Sequence, residues 1–396
     1  MGKQFRLYIS HLDAHIEGSA AIDMPTGPYT IQDALDKVQL AENEPVLLEM
    51  EGCRCDELED AFHQRELPSG TVREIYVLNA LAEKMAAMEQ QELETVGGLI
   101  RMEKNPEQIP AERFYDLMHS AECCHYVNVS SDYGLGKFYV ENDFIPDLEN
   151  VPDSVIEKLD FAKIGREMRE AEGGVFLDEG MGYIVLHSDI IEAHKDLDLT
   201  PKKPDYTILL EVGLPDRGEA ELFKLPCSSE SLRAIPDRFE ARGWCDLTWR
   251  CADCKIPSLR DTISTCESIL EINTAAEVLE ELSGIELLTG KALVSVMKPQ
   301  DLTDALALID ARNDYALERD ITSPADVGMS RLRSALEQDE IELLAPHVNL
   351  YAYGESALKK YGMVLTEYGG LDRWDGEPVQ LQGKESIPQR GGMQML

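Results

Sequence analysis

Two copies of one sequence plan run through this chain, and that duplication limits the folds open to it more than any other feature. The run REIYVLNALAEKMAAMEQQELETVGGLIRM in the first half is echoed by CESILEINTAAEVLEELSGIELLTGKALVSVM from Cys266 to Met297. Asn79 matches Asn273 and Glu83 matches Glu277 at one constant offset. Downstream, SSDYGLGKFYVENDF aligns with TSPADVGMSRLRSAL and DFAKIGREM with NLYAYGESAL, pairing Gly136 with Gly328 and Gly165 with Gly354. A repeat of about 170 to 190 residues is long enough for each unit to fold alone. The expected fold class is therefore α+β: two tandem lobes, each with small mixed sheets and helices, in an elongated molecule. The boundaries read as a first lobe over 1–195, a linker over 196–205 (DLDLTPKKPD), a diverged second lobe over 206–376 and a flexible tail over 377–396.

Within the copies, alternation in FRLYIS and PVLLEME predicts strands, as does GYIVLHS. Helical spacing appears in TIQDALDKVQL, in AERFYDLMHSA and along residues 73–103, where Leu78, Leu81, Met85 and Met88 form one apolar stripe. GLGK, Gly134 to Lys137, lacks the length and the Ser or Thr of a phosphate loop and reads as a turn.

Charge narrows the partner. Among 396 residues, 75 are acidic and 37 basic, a formal net charge of −38. Such a balance argues against direct binding of nucleic acid or an anionic membrane and for a basic partner. Duplex DNA carries one charge per roughly 1.7 Å, so this charge equals that of about 19 base pairs, or about 65 Å of duplex. The halves differ: the first 200 residues carry −25 and the last 196 carry −13. Evenly spread halophile acidity and a generically soluble acidic surface are the competing explanations; the clustering speaks against the first.

The densest cluster is Glu141 to Glu172. Its first twenty residues hold Glu141, Asp143, Asp147, Glu149, Asp153, Glu157 and Asp160 against one base, Lys158. From Pro152 the spacing of Val155, Ile156 and Leu159 predicts a helix with a buried stripe. On that helix Asp153, Glu157 and Asp160 would form an exposed row. Like charges at this spacing disfavour a helix by a few tenths of a kcal/mol per pair, which makes sense if the row serves a cationic partner. An ordinary solvated face is the alternative.

No strong catalytic motif is present, and acid pairs in so acidic a chain carry no specific signal. The nine cysteines and an N-terminus without an apolar segment or cleavage site lead us to expect a cytoplasmic protein with no disulfide framework and no membrane span. Cys251 and Cys254 have chelating spacing, with Cys245 and Cys266 as further candidates for zinc. Buried or free thiols are the simpler reading, and no cofactor is expected.

The segment GKFYVENDFIPDLENVPDSVIEKLDFAKIGREMREAEGGVFL, followed by GYIVLHS, resembles the later part of the ArdA antirestriction proteins. The resemblance rests on an acidic helix leading into Asp160, Phe161, Gly165, Arg166, Glu167 and the Gly173–Gly174 turn. It is most specific over 114–186 and weaker over 5–110, and the second copy keeps the layout while losing much of the signature. It implies an α+β protein, carried by mobile elements in a bacterial host, that imitates bent B-form DNA and occupies the DNA groove of type I restriction-modification enzymes without being an enzyme. By that resemblance the carboxylates Glu141, Asp143, Asp147, Glu149, Asp153, Glu157, Asp160, Glu167, Glu170 and Glu172 would stand in for phosphates. Members of the family commonly pair as dimers, so a two-copy chain implies an internal pseudo-dimer or a homodimer. Another duplex-binding defence complex, such as a CRISPR effector, is the alternative target. A zinc-binding enzyme or regulator is the alternative of another class.

Overall fold

Alternating side chains build the first sheet. In β1 (Phe5–His11), Phe5, Leu7 and Ile9 are buried while their neighbours are not; β2 (Ser19–Met24) buries Ala20, Ile22 and Met24 in the same rhythm. The computed structural model describes residues 2–12, 18–40, 44–63, 70–145, 148, 151–177, 182–198, 203–215 and 220–379. After helix α1 (Pro28–Val38) come β3 (Pro45–Glu51), α2 (Asp56–His63), β4 (Gly70–Thr71), α3 (Val72–Ala86), α4 (Gln90–Met102) and α5 (Ala111–His119). Then follow β5 (Cys124–Val127), α6 (Asp132–Glu141), α7 (Asp153–Ile156), α8 (Phe161–Glu172), β6 (Val175–Phe176) and β7 (Tyr183–Leu186). The strands form two antiparallel sheets, ordered β2-β1-β3-β4 and β5-β7-β6.

The second half runs through the same succession but for β4. It contains β8 (Ile208–Gly213), β9 (Ala220–Leu225), α9 (Ser229–Arg238), β10 (Thr248–Cys254), α10 (Arg260–Thr265), α11 (Ile269–Glu281), α12 (Gly284–Met297) and α13 (Leu302–Asp310). It closes with β11 (Tyr315–Glu318), α14 (Pro324–Ala335), α15 (Gln338–Leu344), α16 (Leu350–Tyr361), β12 (Val364–Thr366) and β13 (Gly369–Arg373). Its sheets, β9-β8-β10 and β11-β13-β12, repeat the orders β2-β1-β3 and β5-β7-β6 of the first half, with no counterpart of β4 among the described residues. The fold class is α+β, as the sequence predicts.

Matched residues do matched jobs. The Thr26 N–H donates to Asn79 Oδ1 at 2.8 Å, and Asn79 Nδ2 donates to Glu83 at 3.4 Å; Cys227, Asn273 and Glu277 repeat this chain at 2.9 and 3.1 Å. An asparagine side chain thus ties each hairpin's exit to the helix behind it. Within each unit the two matched glycines meet: a Cβ on Gly136 would lie 2.7 Å from Gly165 N, and one on Gly328 would lie 3.3 Å from Gly354 N. Without side chains at these points, α6 crosses α8 and α14 crosses α16 at backbone distance.

By its contacts the chain forms two compact units. One holds Ser19–Thr26 and Leu40–Lys202 together with the first strand; the other holds Gly27–Gln39, that is α1, with the chain from Lys203 onward. The second unit grips α1 at both ends. Asp253 of β10, only 1% exposed, accepts from the Tyr29 N–H and the Thr30 hydroxyl in the first turn, and from the Tyr206 hydroxyl. Burial pushes the Asp253 carboxyl above its usual range, against those hydrogen bonds. At the other end Arg319 donates to the Asp36 carbonyl at 2.9 Å and Gln39 donates to the Arg319 carbonyl at 2.7 Å. Between them Lys291 of α12, its side chain 2% exposed, is ion-paired to Asp33 at 2.9 Å and Asp36 at 2.8 Å. Asp33 also takes the Tyr368 hydroxyl at 2.9 Å and Lys37 at 3.3 Å.

Residues 73–103 are helical as expected, in two helices, because Glu89 and Glu92 form a capping box that starts α4 afresh. Two expectations are corrected. GLGK lies inside α6, where Gly136 serves the helix crossing. The helix expected from Pro152 stops at Ile156, and Asp160, accepting from the Lys163 N–H at 3.1 Å, caps a separate helix, α8. At the C-terminal end Val379 is 6% exposed and its N–H donates to the Gly362 carbonyl at 3.1 Å, while 380–396 lie outside the described residues.

Candidate partner-binding surface

The α6–α8 pair carries four of the ten predicted carboxylates, Glu141, Glu167, Glu170 and Glu172, with Asp160 capping α8, and its chemistry sorts the charges. Asp132, in the first turn of α6, accepts from Arg169 at 2.9 and 3.4 Å and lies 3.6 Å from Arg166. The Arg169 hydrogen bonds hold the Asp132 carboxyl below the usual carboxylate range. Both arginines of α8 are thereby drawn toward α6. Glu167, Glu170 and Glu172 are left exposed on α8. Glu141, at the end of α6, is exposed with Lys137 at 3.4 Å; Glu167 has Lys163 at 3.8 Å.

Asp143 is exposed on left-handed backbone, φ 58°, and Glu157 and Asp160 are exposed around the turn into α8. Asp153 opens α7. Asp147 and Glu149 lie outside the described residues. The row of Asp153, Glu157 and Asp160 along one helix face does not form, since the helix that would carry it ends at Ile156. Val155, expected in a buried stripe, is 49% exposed. Asp160 has a structural task as a helix cap beside any role toward a partner.

Several of these charges stand where helix electrostatics oppose them. Glu141 ends α6, and Glu170 and Glu172 end α8, each at the partially negative terminus where an anion costs about 0.3–1 kcal/mol. In the second unit the matching end, on α16, carries Lys359 and Lys360, the favourable sign.

Beside these acids lies a cleft of about 610 Å³ whose lining includes Tyr126, Phe138, Tyr139, Phe144 and Glu172. Phe138, Tyr139 and Phe144 pack as a ring cluster with centroids 5.6 to 5.9 Å apart. Phe144 is nevertheless 56% exposed. Glu172 accepts from the Tyr139 hydroxyl at 2.7–2.8 Å and from Tyr183 at 3.4 Å. Burial, and then the adjacent carboxylate, pushes both phenols well up. Sequence reading missed this cleft; the available signal was Phe138, Tyr139 and Phe144 interleaved with the acids.

The zinc candidates do not assemble. Cys245 is exposed, Cys266 is half-buried with its thiol donating to the Ser268 carbonyl, and Cys251 is buried with its thiol donating to the Asp253 carbonyl. Cys254 is wholly buried, and its thiol is pushed far up by that burial. Among the described residues no three His, Cys, Asp or Glu side chains converge as a metal site would. No helix among them is long and apolar enough to cross a membrane.

No protein-family model matches the chain, and no curated protein matches it significantly.

Proposed function

We propose that this protein is a non-enzymatic mimic of duplex DNA that occupies the basic groove of a DNA-binding defence complex in a bacterial cytoplasm, foremost a type I restriction-modification enzyme. The observation that carries the reading is the acidic end of the α6–α8 pair. Glu141 and Glu170 are kept exposed at helix termini that disfavour them, which points to a value outside the folding of this chain. A net charge of −38 adds the long-range attraction and the counterion release that a duplex-shaped groove rewards. A CRISPR-type effector would offer the same basic channel.

Capture of a target from bacterial lysate, followed by challenge with duplex DNA, tests this. Duplex should displace the protein, and Glu157, Glu167 and Glu170 changed together to Lys should weaken capture more than the same change at Asp339, Glu340 and Glu342 of α15. Asp160 is left intact because its loss would unravel the start of α8. A target that holds the protein and duplex together, neither displacing the other, would refute the reading.

A further inference from the structure

The cleft beside Phe144 has a composition that acidity alone does not explain. Open aromatic surface on a strongly charged exterior is unfavourable unless something covers it, and here the exposed Phe144, the half-buried Phe138 and the buried Tyr139 share one cleft with Glu172. Rings and a carboxylate together suit one ligand chemistry, an organic cation. The ring faces attract it through their quadrupole while the carboxylate neutralises it.

The second copy shows which cation the scaffold admits. Counting from the paired glycines, Tyr139 corresponds to Arg331 and Glu172 to Tyr361. There the Arg331 guanidinium lies over the Tyr361 ring, 4.4 Å from its centroid, with Asp372 at 3.9 Å. At the same crossing of the same two helices, then, a guanidinium stacks on a ring. In the first copy a ring, Tyr139, stands where the second has its arginine and a carboxylate, Glu172, stands where the second has its ring; among the described residues no arginine lines the cleft, and Arg169 is engaged by Asp132.

We propose that the cleft of the first unit is an arginine socket, receiving one arginine side chain from the partner with its guanidinium against the Phe138, Tyr139 and Phe144 rings and ion-paired to Glu172. Arginine fits better than lysine, because its plane stacks and its fork can meet both carboxylate oxygens. The Tyr139 and Tyr183 hydroxyls take two lone pairs of Glu172 and leave others open. The cleft, at about 610 Å³, also has room for the flanking backbone. The inference rests on the reading above only in taking the partner to be a basic protein surface.

The test uses the full chain with labelled Phe and Tyr rings, titrated with N-acetylarginine amide, its lysine counterpart and its neutral citrulline counterpart. Arginine should shift the Phe138, Tyr139 and Phe144 signals saturably, with lysine about fivefold weaker and citrulline inert. Phe144→Ala, at a ring that is 56% exposed, should weaken arginine about fivefold, and Glu172→Gln about tenfold or more. Citrulline acting like arginine, or arginine binding untouched by Phe144→Ala, would overturn the socket. Either failure with duplex competition intact sinks the socket alone; a working socket without duplex competition sinks the mimicry alone.

Discussion

Replacing Lys291 by Met should unfold the second unit at markedly lower denaturant. The lysine is enclosed, 2% exposed at its side chain, and holds Asp33 and Asp36 at 2.9 and 2.8 Å. Methionine matches its length and supplies no charge, leaving two buried or half-buried carboxylates facing each other across an apolar chain. Breaking one side of a buried ion pair costs about 3–5 kcal/mol. Asp33 keeps Lys37 and the Tyr368 hydroxyl, so the lower end, about 3 kcal/mol, applies here. For a unit of this size that is about 6–12 °C in Tm, at about 2–4 °C per kcal/mol. Urea unfolding followed by circular dichroism would measure it. Lys158→Met, at an exposed turn, should stay within about 0.5 kcal/mol. The double change Asp33→Asn, Lys291→Met should cost less than the two single changes summed, since it removes a charge from each side, with a coupling of about 1–3 kcal/mol. A Lys291→Met protein within about 1 kcal/mol of the parent would refute the claim that this network holds α1 in place.

Gly136→Ala would put a Cβ 1.9 Å from the Phe161 carbonyl oxygen and should cost about 3 kcal/mol. Gly134→Ala on the same helix, with its nearest neighbour 3.4 Å away, should gain about 0.5–1 kcal/mol; thermal melts compare the two. Raising salt from near zero to about 0.15 M, where the Debye length is about 8 Å, should raise the melting temperature by relieving self-repulsion, and a fall would contradict a densely uncompensated surface. Because the folded-state carboxyl of Asp132 titrates below its unfolded value, its stabilisation is complete above about pH 4 and fades as pH falls through the lowered value. The melting difference between the parent and Asp132→Asn should therefore hold steady from about pH 7 to 5 and shrink below about 4, and a difference that widens on acidification would exclude this assignment.

Local pattern carried much of the fold. Strand alternation in FRLYIS and PVLLEME, and the Leu78, Leu81, Met85 and Met88 stripe, survive into buried faces because periodicity records which side meets the core. The paired glycines and asparagines were legible as matches, while what they do, crossing helices at backbone distance and tying hairpins, needed three dimensions. The segment after Pro152 misled for a definable reason. Its apolar spacing suits a helix, yet Asp160 competes by capping the next one, and a cap only three or four residues past a short helix ends it. The Asp33–Lys291 pairing could not be read at all, since nothing local in GKALVSVM says which distant carboxylate its lysine meets. The arginine socket was hidden likewise: three aromatic residues and a glutamate spread over 35 positions become neighbours only where α6 and α8 converge.

The lodging of α1 sets a rule for anyone cutting this polypeptide. A recombinant fragment starting at Lys203 would look like a whole second repeat on paper, yet Asp253, Lys291 and Tyr368 would be left facing an empty berth. Supplying residues 27–39 as a separate peptide, or stitching them ahead of Lys203, is what would restore it.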